Sequence, residues 1–304
     1  MKIVFIVIIL LISFLFPGIV GKVKAKVVGR KGPRLLQPFF DTIRLFKKGS
    51  VFSETSSFIF QLAPSIYFVS ILIAVLFIPF DNIRGVFSFD NDFVVFVYLL
   101  AFGKFMMILA AMDTGSGFEG MGANREAYYS MLVEPAFFIL IGSLALITDN
   151  TSFYELFKNL HVNTNLAYMV AAVASYLLIQ ISMVENSRLP VDDPKTHLEL
   201  TMVHEVMILD YSGFDLAIIQ LGGGIKFVLY GSLIANFIIP FHFELWAKIL
   251  SFIVIQIIYA IIVALLESFR ARNKMLKNNQ WIITLSAISL MVFIAALIIT
   301  GKII

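Results

Sequence analysis

The sequence predicts an all-α protein that crosses a membrane about eight times, with one amphipathic helix lying in the interface after the first span. Three observations carry that prediction. Of 304 residues, 60% are hydrophobic and only 14% are charged, where soluble domains carry roughly 25%. Apolar runs close to the ~20 residues needed to cross a hydrocarbon core recur along the chain. The basic residues gather on alternate connections, as the positive-inside rule requires.

The apolar runs lie at about 3–20, 58–79, 93–112, 131–148, 166–184, 214–240, 246–266 and 281–300. They form one membrane domain over 1–304, with no soluble domain and no internal repeat. The first run reads as a span and not as a signal peptide: it is long, lacks a small-residue cleavage site and is followed by a basic segment. Residues 22–48 hold nine Lys/Arg. With the connections at 113–130, 185–213 and 267–280 they account for sixteen of the 23 in the chain. That distribution predicts cytoplasmic acidic loops and both termini outside, in the cell membrane.

Between the first two runs, PRLLQPFFDTIRLFKK (33–48) repeats Leu35, Leu36, Phe39, Phe40, Ile43 and Phe46 at helical spacing. Arg44, Lys47 and Lys48 lie off that stripe, which predicts an interfacial amphipathic helix. The outer connections at 80–92 and 149–165 are short and slightly acidic.

The connection at 185–213 holds six of the 20 carboxylates, Glu185, Asp192, Asp193, Glu199, Glu205 and Asp210, and two of the four histidines. Ionisable groups at membrane depth are costly and mark ion or proton paths. Asp193-Pro194 is a helix-start signal and predicts a helix to about Leu209, with Glu199 and Asp210 on one face and Glu205 on another. His197 and His204 are seven residues apart, roughly 10.5 Å along a helix. That is too far to share one metal, so they read as hydrogen-bonding or partner-contact residues. The alternative for the whole segment is a charged loop that docks a partner.

The second cluster is DTGSGFEGMGANREAYYSMLVEP (113–135). Gly115, Gly117, Gly120 and Gly122 predict a flexible or tightly turned loop. Glu134 precedes Pro135, which frees the carbonyl of Met131, so Glu134 reads either as a proton station or as an interfacial acid facing headgroups. Lys104 and Lys226 fall mid-span. A lysine there costs about 2.5–3.5 kcal/mol on insertion scales and calls for an acid or a wet cavity. There is no cysteine, hence no disulfide and no thiolate-held iron–sulfur cluster. Phosphate-binding, nucleophile-elbow and metal-ligand motifs are missing too.

At these residues the chain resembles the membrane subunit shared by respiratory complex I, its subunit 1 type, and the membrane-bound nickel–iron hydrogenases, including formate hydrogenlyase with its subunit 4. The anchors are Gly32-Pro33 through Gln37-Pro38, Ala63-Pro64, and Glu185, Asn186, Arg188, Pro190, Asp192, Pro194, Glu199 and Tyr211-Ser212-Gly213. DTGS at 113–116, Gly122 with Arg125-Glu126, Glu134-Pro135 and THLELTMVHE at 196–205 favour the hydrogenase branch. Asp210 departs from the wider family, where the quinone enzymes usually carry Glu.

The resemblance implies a membrane anchor that couples electron transfer in a soluble arm to proton or sodium movement. It implies no cofactor or metal in this chain, and a nickel–iron centre and iron–sulfur clusters in partner subunits. Those partners would be hydrogenase large and small subunits, an iron–sulfur protein and antiporter-like membrane subunits; no nucleic acid is expected. The implied acid channel falls on Glu134, Glu185, Asp192, Glu199, Glu205 and Asp210, and extends to Glu119, Glu126, Asp193, Arg125 and Arg188. The expected path also takes in Lys104 and Lys226. The loop and soluble-arm interface is expected at Arg30, Arg34, Asp113, Glu119, Arg125, Glu126, Arg188, Asp193, His197 and His204. The competing readings are a quinone-site subunit of a complex I-like dehydrogenase and a purely structural anchor. A free-standing antiporter ranks last, because no repeat is present.

Overall fold

The computed structural model describes residues 2–53, 56–80, 83–160, 164–193, 202–240 and 243–301. In chain order its helices are α1 (Lys2–Val27), α2 (Gln37–Phe46), α3 (Phe58–Val75), α4 (Asp92–Asp113), α5 (Gly117–Thr148), α6 (Phe153–Leu160), α7 (Thr164–Glu185), α8 (His204–Met207), α9 (Gly213–Ile238), α10 (Leu245–Phe269) and α11 (Met275–Ile299). Among the described residues, seven helices are long and apolar enough to cross a membrane (α1, α3, α4, α5, α9, α10 and α11), and the Met169–Glu185 part of α7 is a shorter apolar helix. The chain is therefore an all-α, multi-pass membrane protein, and each expected span falls on one of these eight helices. The sole extended pairing among the described residues is a bridge between Phe80 and Ile83.

Helix α9 is the centre of the bundle. It packs on α1, α2, α3, α7 and α10, and its residues from Gly224 to Ala235 are all buried. Around it, α3 lies against α4, α5 against α11, and α1 against α10. Helix α2 takes the place of the expected interfacial helix, with a proline in its first turn, where a missing N–H costs nothing. Its apolar side docks inward: Phe39 meets Phe14 of α1 at 5.1 Å and Phe46 meets Phe214 of α9 at 5.4 Å.

Two expectations need correction. The glycine-rich stretch is not a loop: α5 starts at Gly117, so only Thr114–Ser116 separates it from α4. Of the four glycines, Gly115 supplies the turn, at φ +69°. Gly122 instead permits close packing, because a Cβ there would sit 2.8 Å from the carbonyl oxygen of Val203 and collide with Val206. The helix expected from Asp193 to Leu209 is also absent in that form. Residues 194–201 lie outside the described residues, and between Met202 and Ser212 only His204–Met207 is helical. The break is stabilised by Asp192, whose carboxylate accepts the N–H of Val203 at 3.0 Å and of His204 at 3.2 Å.

The connection 149–165 contains α6, whose Phe153, Leu156, Phe157 and Leu160 are buried. Buried Asp92, at the start of α4, accepts the Phe153 N–H at 2.8 Å and the Ser152 hydroxyl at 3.0 Å. It thus ties α6 down at the bundle end opposite the acidic loops.

Candidate functional site

The site grows from the end of α7. Arg188 N–H donates to the Met183 carbonyl at 2.8 Å, and Ser187 N–H to that of Val184 at 3.0 Å. This is the reciprocal pattern of a Schellman cap, with Ser187 left-handed at φ +47°. A serine there is uncommon. Its position carries the side chain into the bundle, where Ser187 Oγ donates to Glu126 Oε2 at 2.9 Å.

Glu126 belongs to a four-member ion cluster drawn from four helices. Lys104 of α4 lies 3.2 Å from Glu126 Oε1 of α5 and 3.0 Å from Glu185 Oε2 of α7. Lys226 of α9 lies 2.7 Å from that same oxygen and also donates to the Glu185 carbonyl at 2.9 Å. All four side chains are under 10% exposed. The two lysines expected to need acid partners have found them, and they share one. Two ammoniums and two carboxylates balance, which makes burial of all four bearable.

Two spaces meet at this cluster. A cavity of about 670 Å³ lies between α1, α2, α9 and the segment after α7. Its lining is mixed: Phe14, Pro17 and Phe227 are apolar, whereas Asp41, Arg44, Glu185, Arg188, His204 and Glu205 are polar. The second space, of about 20 Å³, holds Glu134, Glu185 and Tyr230 among apolar side chains. Glu134 accepts no hydrogen bond within the described residues and stands beside the cluster without being bonded to it.

Further ion pairs fix the rim. Lys24 lies 2.7 Å from Glu267 Oε2, and Arg188 lies 3.5 Å from Glu267 Oε1, with its guanidinium 5.3 Å over the Phe227 ring. Asp192 pairs with Arg272 at 2.8 Å. Burial pushes its carboxyl upward, against the pull of Arg272 and of three backbone N–H groups. The segment after α7 is stitched to the α10–α11 connection by Asn273 N–H to the Pro190 carbonyl at 3.0 Å, and to the start of α11 by Asn278 to the Val191 carbonyl at 3.0 Å.

The remaining expected residues scatter. Glu119 is buried, takes the Asp210 N–H at 3.2 Å, and has one oxygen without a partner among the described residues. The Asp210 side chain itself is exposed. Arg125 donates to the Met202 carbonyl at 2.9 Å, and Asp113 accepts the Ser57 N–H at 2.7 Å. Asp193 is half-buried, and Arg30 and Arg34 are exposed on the connection between α1 and α2. His197 and Glu199 lie outside the described residues.

Sequence reasoning missed Lys24, Glu267, Arg272, Ser187 and Tyr230 as parts of the site. Depth could have found the first pair: Lys24 and Glu267 both sit near the C-terminal ends of adjacent, parallel helices.

The signature Tyr211-Ser212-Gly213 has a structural explanation. Tyr211 stacks on Phe60 at 4.1 Å and donates to its carbonyl at 2.9 Å. Ser212 Oγ accepts the Val51 N–H at 3.0 Å. Gly213, at φ +52°, lets the backbone of Gly49 approach to where a Cβ would be. The three residues clamp the start of α9 onto the chain between α2 and α3 and onto the first turn of α3.

A family model described as NADH dehydrogenase matches residues 1–298. The chain belongs to this family. Among curated relatives it is 32% identical over 237 residues to hydrogenase-4 component C of Escherichia coli (strain K12), covering 77% of this chain and 73% of that protein. It is 24% identical over 256 residues to formate hydrogenlyase subunit 4 of the same organism, covering 83% and 80%. Among solved structures, a chain of the membrane-bound sulfane sulfur reductase, an archaeal respiratory membrane complex, superposes with a TM-score of 0.83 over 97% of this chain and 98% of that one. At 19% identity, that likeness concerns the fold. As a multi-pass member of this family, the chain is a membrane subunit of an oxidoreductase assembly.

Proposed function

We propose that the chain is the membrane anchor and ion-coupling subunit of a membrane-bound hydrogenase of the formate hydrogenlyase type. It holds a soluble redox arm against its acidic loops, which face the cytoplasm, and both termini lie outside. The arm comprises hydrogenase large and small subunits and an iron–sulfur protein, and these carry the nickel–iron centre and the clusters. Antiporter-like membrane subunits are the further partners. The chain itself carries no cofactor and moves no electrons.

The observation that carries the reading is the buried Lys104–Glu126–Glu185–Lys226 cluster, set between the large cavity and the Glu134 space. A structural anchor needs no such group. Replacing a buried ion pair by apolar residues of similar volume is often neutral or stabilising, so stability alone does not account for it. The test is Glu185→Gln and Glu134→Gln in the assembled complex, with hydrogen evolution and ion uptake measured together in inverted vesicles. The expected result is assembled complex with reduced uptake per hydrogen evolved. Unchanged uptake in both variants would remove the coupling role. Dissociation of the arm in both would favour the structural anchor.

A second reading, a quinone-site subunit of a complex I-like dehydrogenase, is favoured by one observation. The large cavity is walled by α2 and is partly apolar, which suits a ring with a lipid tail. Turnover that depends on added quinone would support it; hydrogen evolution at full rate in quinone-depleted vesicles would exclude it.

A further inference from the structure

Among the described residues, Glu185 alone lines both the large cavity and the small space around Glu134. It is the wall between them. A proton moving from the cavity to Glu134 has this carboxyl as its shortest bridge. The small space, about 20 Å³, has room for about one water, and Glu134, Glu185 and Tyr230 face it with the two to four polar partners that a buried water needs.

A relay carboxyl takes a proton on one oxygen and releases it from the other. Each carboxylate oxygen offers about two lone-pair sites. At Glu185 Oε2 two ammoniums stand within hydrogen-bonding distance, Lys226 at 2.7 Å and Lys104 at 3.0 Å. With both in place, Oε2 has no site left for an incoming or outgoing proton, and the wall is shut.

The two lysines are not equivalent. Lys104 is shared with Glu126, which is itself held by Ser187. Among the described residues, Lys226 has Glu185 as its one carboxylate partner and grips the Glu185 carbonyl as well. Its release frees a lone pair on Oε2 and loosens the last residue of α7 together, whereas release of Lys104 would break two ion pairs.

We infer that Lys226 is the latch of a proton gate at Glu185, an inference that rests on the proposed coupling role of this cluster. In the closed form Lys226 occupies Oε2. When Lys226 withdraws, a proton from the cavity adds to Glu185 and passes, directly or through one water, to the Glu134 carboxylate. No bond other than O–H forms or breaks; the donor is a hydrated proton in the cavity, which leaves a water molecule behind. Lys226 acts on this transfer only by positioning Glu185.

The test measures how fast Glu134 equilibrates with bulk protons in the purified complex. Attenuated-total-reflectance infrared spectra are recorded after a pH jump, and the Glu134 bands are identified by their loss in Glu134→Gln. A minor open form populated at ~0.1–10% gives a roughly tenfold or greater acceleration once the closed form loses its advantage. The expected outcome is that acceleration in Lys226→Met and its reversal in Lys226→Arg. It should also vanish in Lys226→Met/Glu185→Gln, because Gln cannot relay. A bundle merely loosened by the substitution would stay fast in the double variant, and that result overturns the proposal, as does an unaccelerated Lys226→Met. If Lys226→Met does not assemble, Glu185→Asp draws the carboxylate back from Lys226 and must show the same acceleration. If instead Glu134→Gln and Glu185→Gln pump normally, the proposed function fails, and the access rates still report separately on the gate.

Discussion

Lys104→Met isolates what the cluster contributes to stability. Methionine keeps the length and apolar bulk of the side chain and removes the ammonium. Lys104 lies 3.2 Å from Glu126 and 3.0 Å from Glu185, and the three side chains are 8%, 4% and 9% exposed. Glu185 keeps Lys226, but Glu126 is left with only the Ser187 hydroxyl. Removing one partner of a buried pair costs about 3–5 kcal/mol, because the other charge stays behind. Lys104→Met/Glu126→Gln removes the stranded charge as well, and the amide oxygen of the substituted side chain still accepts from Ser187. The double variant should therefore be more stable than Lys104→Met alone, with a coupling energy toward the upper end of the ~0.5–3 kcal/mol found for residues in contact. The assay is unfolding in mixed micelles titrated with a denaturing detergent, run as a double-mutant cycle. Strictly additive losses would refute the argument, since they would mean that Lys104 and Glu126 do not hold one another.

Four further outcomes are expected. Ser187→Gly and Ser187→Ala both lose the bond to Glu126, yet glycine suits φ +47° and should exceed alanine in stability by ~1–2 kcal/mol in the same unfolding assay. Gly122→Val drives its side chain into Val206 and the Val203 carbonyl, costing ~1–3 kcal/mol as overpacking and increasing proteolysis within 202–212. Arg272→Ala strands buried Asp192, so amide exchange at Val203 and His204 should accelerate, and Asp192→Asn in the same chain should restore part of the protection. Asp92→Ala frees the α6 end at a cost of ~1–3 kcal/mol for the unsatisfied Phe153 N–H, but ion uptake per hydrogen evolved should not change, because Asp92 stands at the opposite end of the bundle.

The spans were legible because a membrane helix declares itself locally: some twenty apolar residues in a row admit few other fates. Amphipathic α2 was legible for a similar reason, since the stripe from Phe39 to Phe46 is a property of ten neighbouring residues. Lys104 and Lys226 could be recognised as needing acids from depth alone. Which acids they met could not, because Glu126, Glu185 and both lysines come from four helices whose rotation and relative height depend on packing. The glycines of 115–122 misled for a physical reason. Glycine marks both the breaking of a helix and the close approach of a second chain segment, and at Gly122 the second meaning prevailed. The helix expected to run from Asp193 to Leu209 is interrupted at Met202 and Val203, where the described residues resume. There Asp192 captures the Val203 and His204 amides, and a buried carboxylate bonded to two N–H groups outweighs a weak local preference.

The arrangement of charges separates scaffold from path. Glu267 is held by Lys24 and Arg188, Asp192 by Arg272, and Glu126 and Glu185 by two lysines. Each of these pairs joins segments far apart in the chain, so each fixes geometry whatever else it does. Glu134 differs. It accepts no bond from the described residues, yet it shares a water-sized space with Glu185 and Tyr230. A charge permanently paired on both oxygens cannot pass a proton on; a carboxyl next to a neutralised cluster, with space on one side, can. If coupling runs through this chain, the step that controls it lies where the two kinds of site touch, at Glu185. Strengthening the pairs at the rim should therefore raise stability without altering ion uptake, whereas changing the length or charge at Glu185 alters uptake even when the bundle stays intact.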